Sequence, residues 1–137
     1  MISYREFSVS ISLDPTFAKA YFHRGVSKLY QRSIKGLNDL NKAIELKPKY
    51  FEAYMMRSSF YHEVQMYEEA IADASMAINL ESLSLRAYLL RGSSYTKIRR
   101  DKEALQDFAK AIQMDPVCVM NSFFTLWVPY SHNYDDS

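Results

Sequence analysis

An all-α solenoid of antiparallel helix pairs is the fold that three observations on this sequence predict. The phrase AYFHRG at 20–25 returns as AYMMRS at 53–58 and as AYLLRG at 87–92, 33 and then 34 residues apart. A second phrase, DLNKAIEL at 39–46, returns at 73–80 and at 107–114 with a period of 34, out of phase with the first. Glycine and proline are scarce, 3 and 4 in 137 residues, which disfavours a sheet protein with many tight turns. A fixed period of this length marks stacked supersecondary units, and two phrases per period make each unit two helices, A then B.

The elements follow in chain order. Moving the B phrase back by 34 lands on Arg5–Asp14, where Phe7, Ile11 and Leu13 keep the apolar positions. Residues 1–15 are therefore expected to be a partial repeat, helix B alone, as if the chain were a piece or shortened isoform of a longer array. The first full repeat, 17–49, carries Ala20, Tyr21 and Gly25 on its A helix and Leu40 on its B helix. It is one residue short, and the shortfall falls near Arg32–Lys35, in the inner turn. In the second repeat, 50–83, Ile71, Ala74, Ala77 and Ile78 trace one helical face, as Leu105, Phe108, Ala111 and Ile112 do in the third, 84–116. Pro48 and Pro116 stop two of the B helices, while Ser82 stands at that place in the middle repeat. The remainder, 117–137, has no Asp, Glu, Lys or Arg between Val117 and Tyr134. It is expected to be an apolar cap on the last repeat, at about 118–128, or else a poorly ordered ending or a docking segment.

At these positions the chain resembles the tetratricopeptide repeat family, whose pattern is W-x2-L-G-x2-Y, A-x3-F and P. Tyr21, Tyr54 and Tyr88 stand at the Trp, and Arg24, Arg57 and Arg91 at the Leu. Gly25, Ser58 and Gly92 stand at the Gly, and Gly36, Ala70 and Ala104 at the second small residue. Lys28 departs from the Tyr that the other repeats keep as Tyr61 and Tyr95. The resemblance implies a right-handed superhelical solenoid in which small residues let helices A and B cross closely. It also implies a concave side lined by the A helices, where ligands lie.

Arg24, Arg57 and Arg91 share their period with Asp39, Asp73 and Asp107, which suggests a ladder of Arg–Asp contacts between A and B helices. Partly exposed rungs of this kind would contribute only ~0–1 kcal/mol each.

Composition narrows the functional classes. A net charge of +1 gives no reason to expect nucleic acid or an anionic membrane as partner. The lone Cys118 cannot close an internal disulfide, so a reducing intracellular compartment such as the cytoplasm is the expectation. No apolar run is long enough to span a bilayer. His23, His62 and His132 share no metal-ligand spacing with that cysteine, and no phosphate-loop, nucleophile-elbow or zinc-protease motif occurs. No enzyme, cofactor or metal is expected.

A protein partner is. The resemblance places Phe22, His23, Val26 and Leu29 of the first repeat on the concave side, with Met55, Met56, Ser59 and His62 of the second. The third adds Arg86, Leu89, Leu90 and Ser93. Some family members grip a peptide's C-terminal carboxylates with Lys, Asn and Arg there. The matching positions here are Phe22, Val26, Met56, Arg86 and Leu90, of which only Arg86 could serve. A carboxylate would surrender hydration for a single charged partner, which is unfavourable. The apolar lining suits an amphipathic helix or apolar peptide of a partner instead, with methionine adapting its shape. The alternative is a structural segment of a longer array, a monomer or self-associating weakly through its ends.

Overall fold

The computed structural model describes residues 17–117 and 120. The expected partial repeat at 1–15 and nearly all of the tail lie outside them. Six α-helices of 11 to 14 residues run through the described residues. They are α1 (Ala18–Tyr30), α2 (Gly36–Leu46), α3 (Phe51–Glu63), α4 (Tyr67–Leu80), α5 (Leu85–Lys97) and α6 (Asp101–Met114). The pairs α1–α2, α3–α4 and α5–α6 are hairpins, and α2 packs on α3 as α4 packs on α5. The A helices α1, α3 and α5 also touch in series. This is the all-α solenoid that the double period predicts.

Small residues set how closely each hairpin closes. A Cβ on Gly25 would lie 2.8 Å from the Gly36 carbonyl oxygen, and a Cβ on Gly36 would run into the Gly25 carbonyl. Backbone meets backbone there, and no side chain can intervene. In the third hairpin a Cβ on Gly92 would sit 2.8 Å from Cε1 of Phe108. The middle hairpin solves the same crossing differently, with Ser58 and Ala74 at the places of Gly92 and Phe108. The fully buried Ser58 hydroxyl donates to the Ala70 carbonyl at 2.6 Å, so its polar atom is satisfied.

Each A helix ends the same way. The Ser33, Met66 and Arg100 N–H groups donate to the Lys28, Tyr61 and Tyr95 carbonyls at 2.8, 2.8 and 2.9 Å. The residue before each, Arg32, Gln65 or Arg99, has φ of 61°, 67° or 63°. These are Schellman turns with a left-handed residue at C′, a place that favours glycine. The B helices start unequally. Both α4 and α6 have 14 residues, but α2 has 11. The Gly36, Leu37 and Asn38 N–H groups reach back only three residues, to Ser33, Ile34 and Lys35, so the short inner turn of the first repeat uses up the first turn of its B helix.

The core is built mostly of alanine. Ala43, Ala77 and Ala111, 34 residues apart, are fully buried, as are Ala53 and Ala87. Between the first two repeats Ala43, Tyr50 and Ala53 gather Tyr21, Phe22 and Ile44 around them. Between the next two, Tyr54, Met55, Ala77 and Ala87 gather Phe51, Ile78 and Leu90.

The Arg–Asp ladder forms at every rung. Arg24, Arg57 and Arg91 each donate through Nε and Nη2 to both carboxylate oxygens of Asp39, Asp73 and Asp107, at 2.6–2.8 Å. The aspartates are only 4, 5 and 3% exposed, so the rungs are more deeply set than partly exposed pairs. Each guanidinium also lies over a tyrosine of its own helix, 5.6–5.7 Å from the rings of Tyr21, Tyr54 and Tyr88. The third nitrogen reaches into the preceding repeat. Nη1 of Arg57 donates to Asn41 at 2.8 Å and Nη1 of Arg91 to Ser75 at 3.1 Å. The ladder therefore ties A to B within a repeat and one repeat to the last. Lys28, the odd residue of the first repeat, gives Asp39 a second cation at 3.0 Å.

Candidate partner-binding groove

Where α3 and α5 run side by side, their exposed faces leave an open cleft of about 260 Å³. Met55, Leu89 and Leu90 supply its apolar wall, Ser59 and Ser93 its hydroxyls, and Arg86 its one cation. The period explains the convergence. Met55 and Leu89 are 34 residues apart, as are Ser59 and Ser93, so successive A helices offer matching side chains to one trough. Arg86 is exposed and has Glu52 as its counterpart one period earlier, so the charge of the trough changes sign from one repeat to the next.

The residues expected on this side take several environments. Met55 is almost wholly buried in the inter-repeat core and gives the cleft only its edge. Leu90 packs on that core too. Met56 and Val26 are half-buried. Phe22 stacks on Tyr50 with ring centres 5.1 Å apart, and meets the edge of His23 at the same distance. Burial, reinforced by Glu52, pushes the Tyr50 hydroxyl up to about 12. Leu29 leans over Gly36 at the crossing of α1 and α2.

His62 lies about one helical turn beyond Ser59 on α3. Its Nδ1 lies 2.9 Å from the fully buried Ser94 hydroxyl on α5, and its ring meets Tyr67 of α4 edge-on at 5.3 Å. Burial first, then Lys97, holds its imidazole below the ordinary histidine range, against a weaker opposite pull from Glu63. His23 is likewise lowered, by burial and then Lys19. Lys28, Asn41 and Ser75 contribute to the ladder without having been marked as part of it by the sequence. Asn41 and Ser75 carried a usable signal, since both are polar and stand one period apart.

The tetratricopeptide repeat family model matches residues 85–118, which hold the third hairpin. Solved structures share the architecture over most of the chain. The Arabidopsis OM64 TPR domain superposes with a TM-score of 0.68 at 25% identity, covering 72% of this chain and 83% of that one. The third hairpin matches the tetratricopeptide repeat, and the described array shares the fold of tetratricopeptide domains. Other tetratricopeptide structures resemble it in fold. A MamA crystal structure has a TM-score of 0.77 at 24% identity, covering 82% of this chain and 62% of that one. The first TPR of Spaghetti (RPAP3), solved with the HSP90 peptide SRMEEVD, has a TM-score of 0.69 at 20% identity over 72% of this chain and 79% of that one. Human DnaJ homolog subfamily C member 7 is 30% identical over 77 residues, 53% of this chain but only 16% of that protein. The chain thus matches a small part of its curated relative's length. No helix among the described residues is long and apolar enough to cross a membrane.

Proposed function

We propose that this chain is a protein-interaction scaffold that takes a peptide or amphipathic helix of a partner protein along its A helices. The cleft between α3 and α5 carries the reading. It is concave and part apolar, has hydroxyls at two levels, and has one exposed guanidinium at its rim. A partner would seat an apolar side chain against Leu89, Leu90 and the edge of Met55. It would present a hydroxyl, amide or carboxylate towards Ser59, Ser93 and Arg86. The structure of RPAP3 with its HSP90 peptide supports peptide recognition as a use of this architecture. The matching positions here, Phe22, Val26, Met56 and Leu90, favour apolar contacts over a cluster of carboxylate-binding cations.

Selection from a displayed peptide library tests it. The expected winners carry an apolar anchor, and their binding falls at least tenfold with Leu89→Glu, which sets a charge against the anchor. Lys110→Glu, on the B side, should leave binding unchanged. Selected peptides that tolerate Leu89→Glu and respond to Lys110→Glu would overturn the proposal.

A further inference from the structure

The two rims of the α3–α5 cleft carry opposite charge. On α3, Glu52, Ser59 and Glu63 fall within about 40° of one another round the helix, so both carboxylates stand on the face that presents Ser59 to the cleft. On α5 the residues 34 further on are Arg86, Ser93 and Lys97. All four charged residues are exposed, and among the described residues none of them is in an ion pair. Beside the effect of burial, Lys97 lowers and Glu63 raises the proton affinity of the same His62 ring, so these two charges flank one imidazole. On α1 the corresponding places hold Lys19 and Tyr30. Among the described residues, the α3–α5 trough alone has both rims charged at both ends.

Helix stability does not account for this pattern. Glu52 in the first turn of α3 and Lys97 in the last turn of α5 complement the helix dipoles. Glu63 and Arg86 do the reverse, a carboxylate at a C-terminus and a guanidinium in a first turn. What unites the four is the side of the cleft on which each stands.

We propose, building on the groove reading, that these rims select an amphipathic helix of a partner protein and fix the direction in which it lies. That helix carries a column of acidic side chains on its flank towards α5 and a column of basic ones on its flank towards α3. The cleft has three surfaces to satisfy, an apolar floor of Leu89, Leu90 and the edge of Met55, and two charged rims. An extended strand points its side chains in two opposite directions, whereas a helix offers three faces. Glu52 to Glu63 and Arg86 to Lys97 each span 11 residues, about 16 Å or three helical turns. Columns at i, i+4, i+7 and i+11 of the partner match that length. Direction then follows from geometry. Turning the helix end for end with its apolar face still on the floor exchanges its flanks, and each column meets its own sign. Because the four charges are exposed, they govern orientation and partner choice more than affinity.

Two synthetic helical peptides test this, alike in their leucine stripe but with the Glu and Lys columns exchanged, each with a nitroxide at its N-terminus. In amide spectra of the full chain, the first peptide should broaden signals most strongly at one end of α3 and α5, around Glu52 and Arg86 or around Glu63 and Lys97. The second should do so at the opposite end. Glu52→Lys, Glu63→Lys, Arg86→Glu and Lys97→Glu, made together, exchange the rims at exposed positions and should reverse both peptides with helix content unchanged by circular dichroism. Added salt should weaken the directional preference while the peptides stay in the cleft, since exposed charges are screened and apolar contacts are not. Peptides that lie in the cleft yet broaden the same end, or both ends alike, would overturn the directional inference and leave the groove reading standing. Peptides that perturb neither α3 nor α5 would overturn both.

Discussion

Arg57 holds Asp73 by two hydrogen bonds of 2.7 Å and Asn41 of the neighbouring repeat by a third of 2.8 Å. The bonds to Asp73 raise its already high affinity for the proton, against the opposing effect of burial. Because Asp73 is buried, removing the arginine leaves a desolvated carboxylate without its cation. Arg57→Ala should lower stability by about 3–5 kcal/mol in urea denaturation, and Asp73→Ala in the same chain should recover part of the loss. Arg24→Ala should cost less, because Lys28 remains 3.0 Å from Asp39. Equal losses at the two rungs would show that Lys28 does not substitute. His62 adds a pH dependence. Its folded pKa lies below the ordinary 6.5, so the unfolded chain binds more protons in the interval between them, and stability rises with pH there. Stability is therefore present above about 6.5 and is lost as the pH falls through that interval. The melting temperature should drop on acidification from 7.5 to about 5.5, and His62→Asn, which can keep a bond to Ser94, should reduce the drop. An unchanged slope in that variant would exclude His62 as its source.

The helix termini hold removable strain. Arg32, Gln65 and Arg99 occupy left-handed backbone that costs an L-residue about 1–2 kcal/mol, less the extra chain entropy that glycine would lose. Gln65→Gly should therefore stabilise by up to about 1 kcal/mol, while Gly92→Ala, which presses on the Phe108 ring, should destabilise. Equilibrium denaturation checks both signs. These termini show where sequence reading stops. The three left-handed residues look like ordinary polar turn positions, because the glycine that would announce them is absent. The hairpin crossings and the ladder were legible, since Gly25, Ser58 and Gly92 or Asp39, Asp73 and Asp107 must recur for the same contact to recur. Within α3 the periodicity could not separate core from groove. A solenoid's A helix is apolar towards its own B helix, towards its neighbours and towards a trough, so Met55 reads as groove while it fills the core.

At the scale of the molecule, a double period became three hairpins, and the A helices they align became a trough that no single hairpin possesses. The cleft needs Met55 and Ser59 from one repeat and Arg86, Leu89, Leu90 and Ser93 from the next, so its geometry depends on the junction that Arg91 and Ser75 help to fix. Arg91→Lys, which keeps the charge but not the three-way fork, should weaken peptide binding more than it perturbs helix content. Calorimetry beside circular dichroism would measure the two effects. The most direct measurement of the whole reading is amide chemical-shift mapping of the full chain with a selected peptide. The expected perturbations concentrate on α3 and α5, strongest around Ser59, Leu89 and Ser93. Perturbations confined to α2, α4 and α6 would contradict a concave binding site.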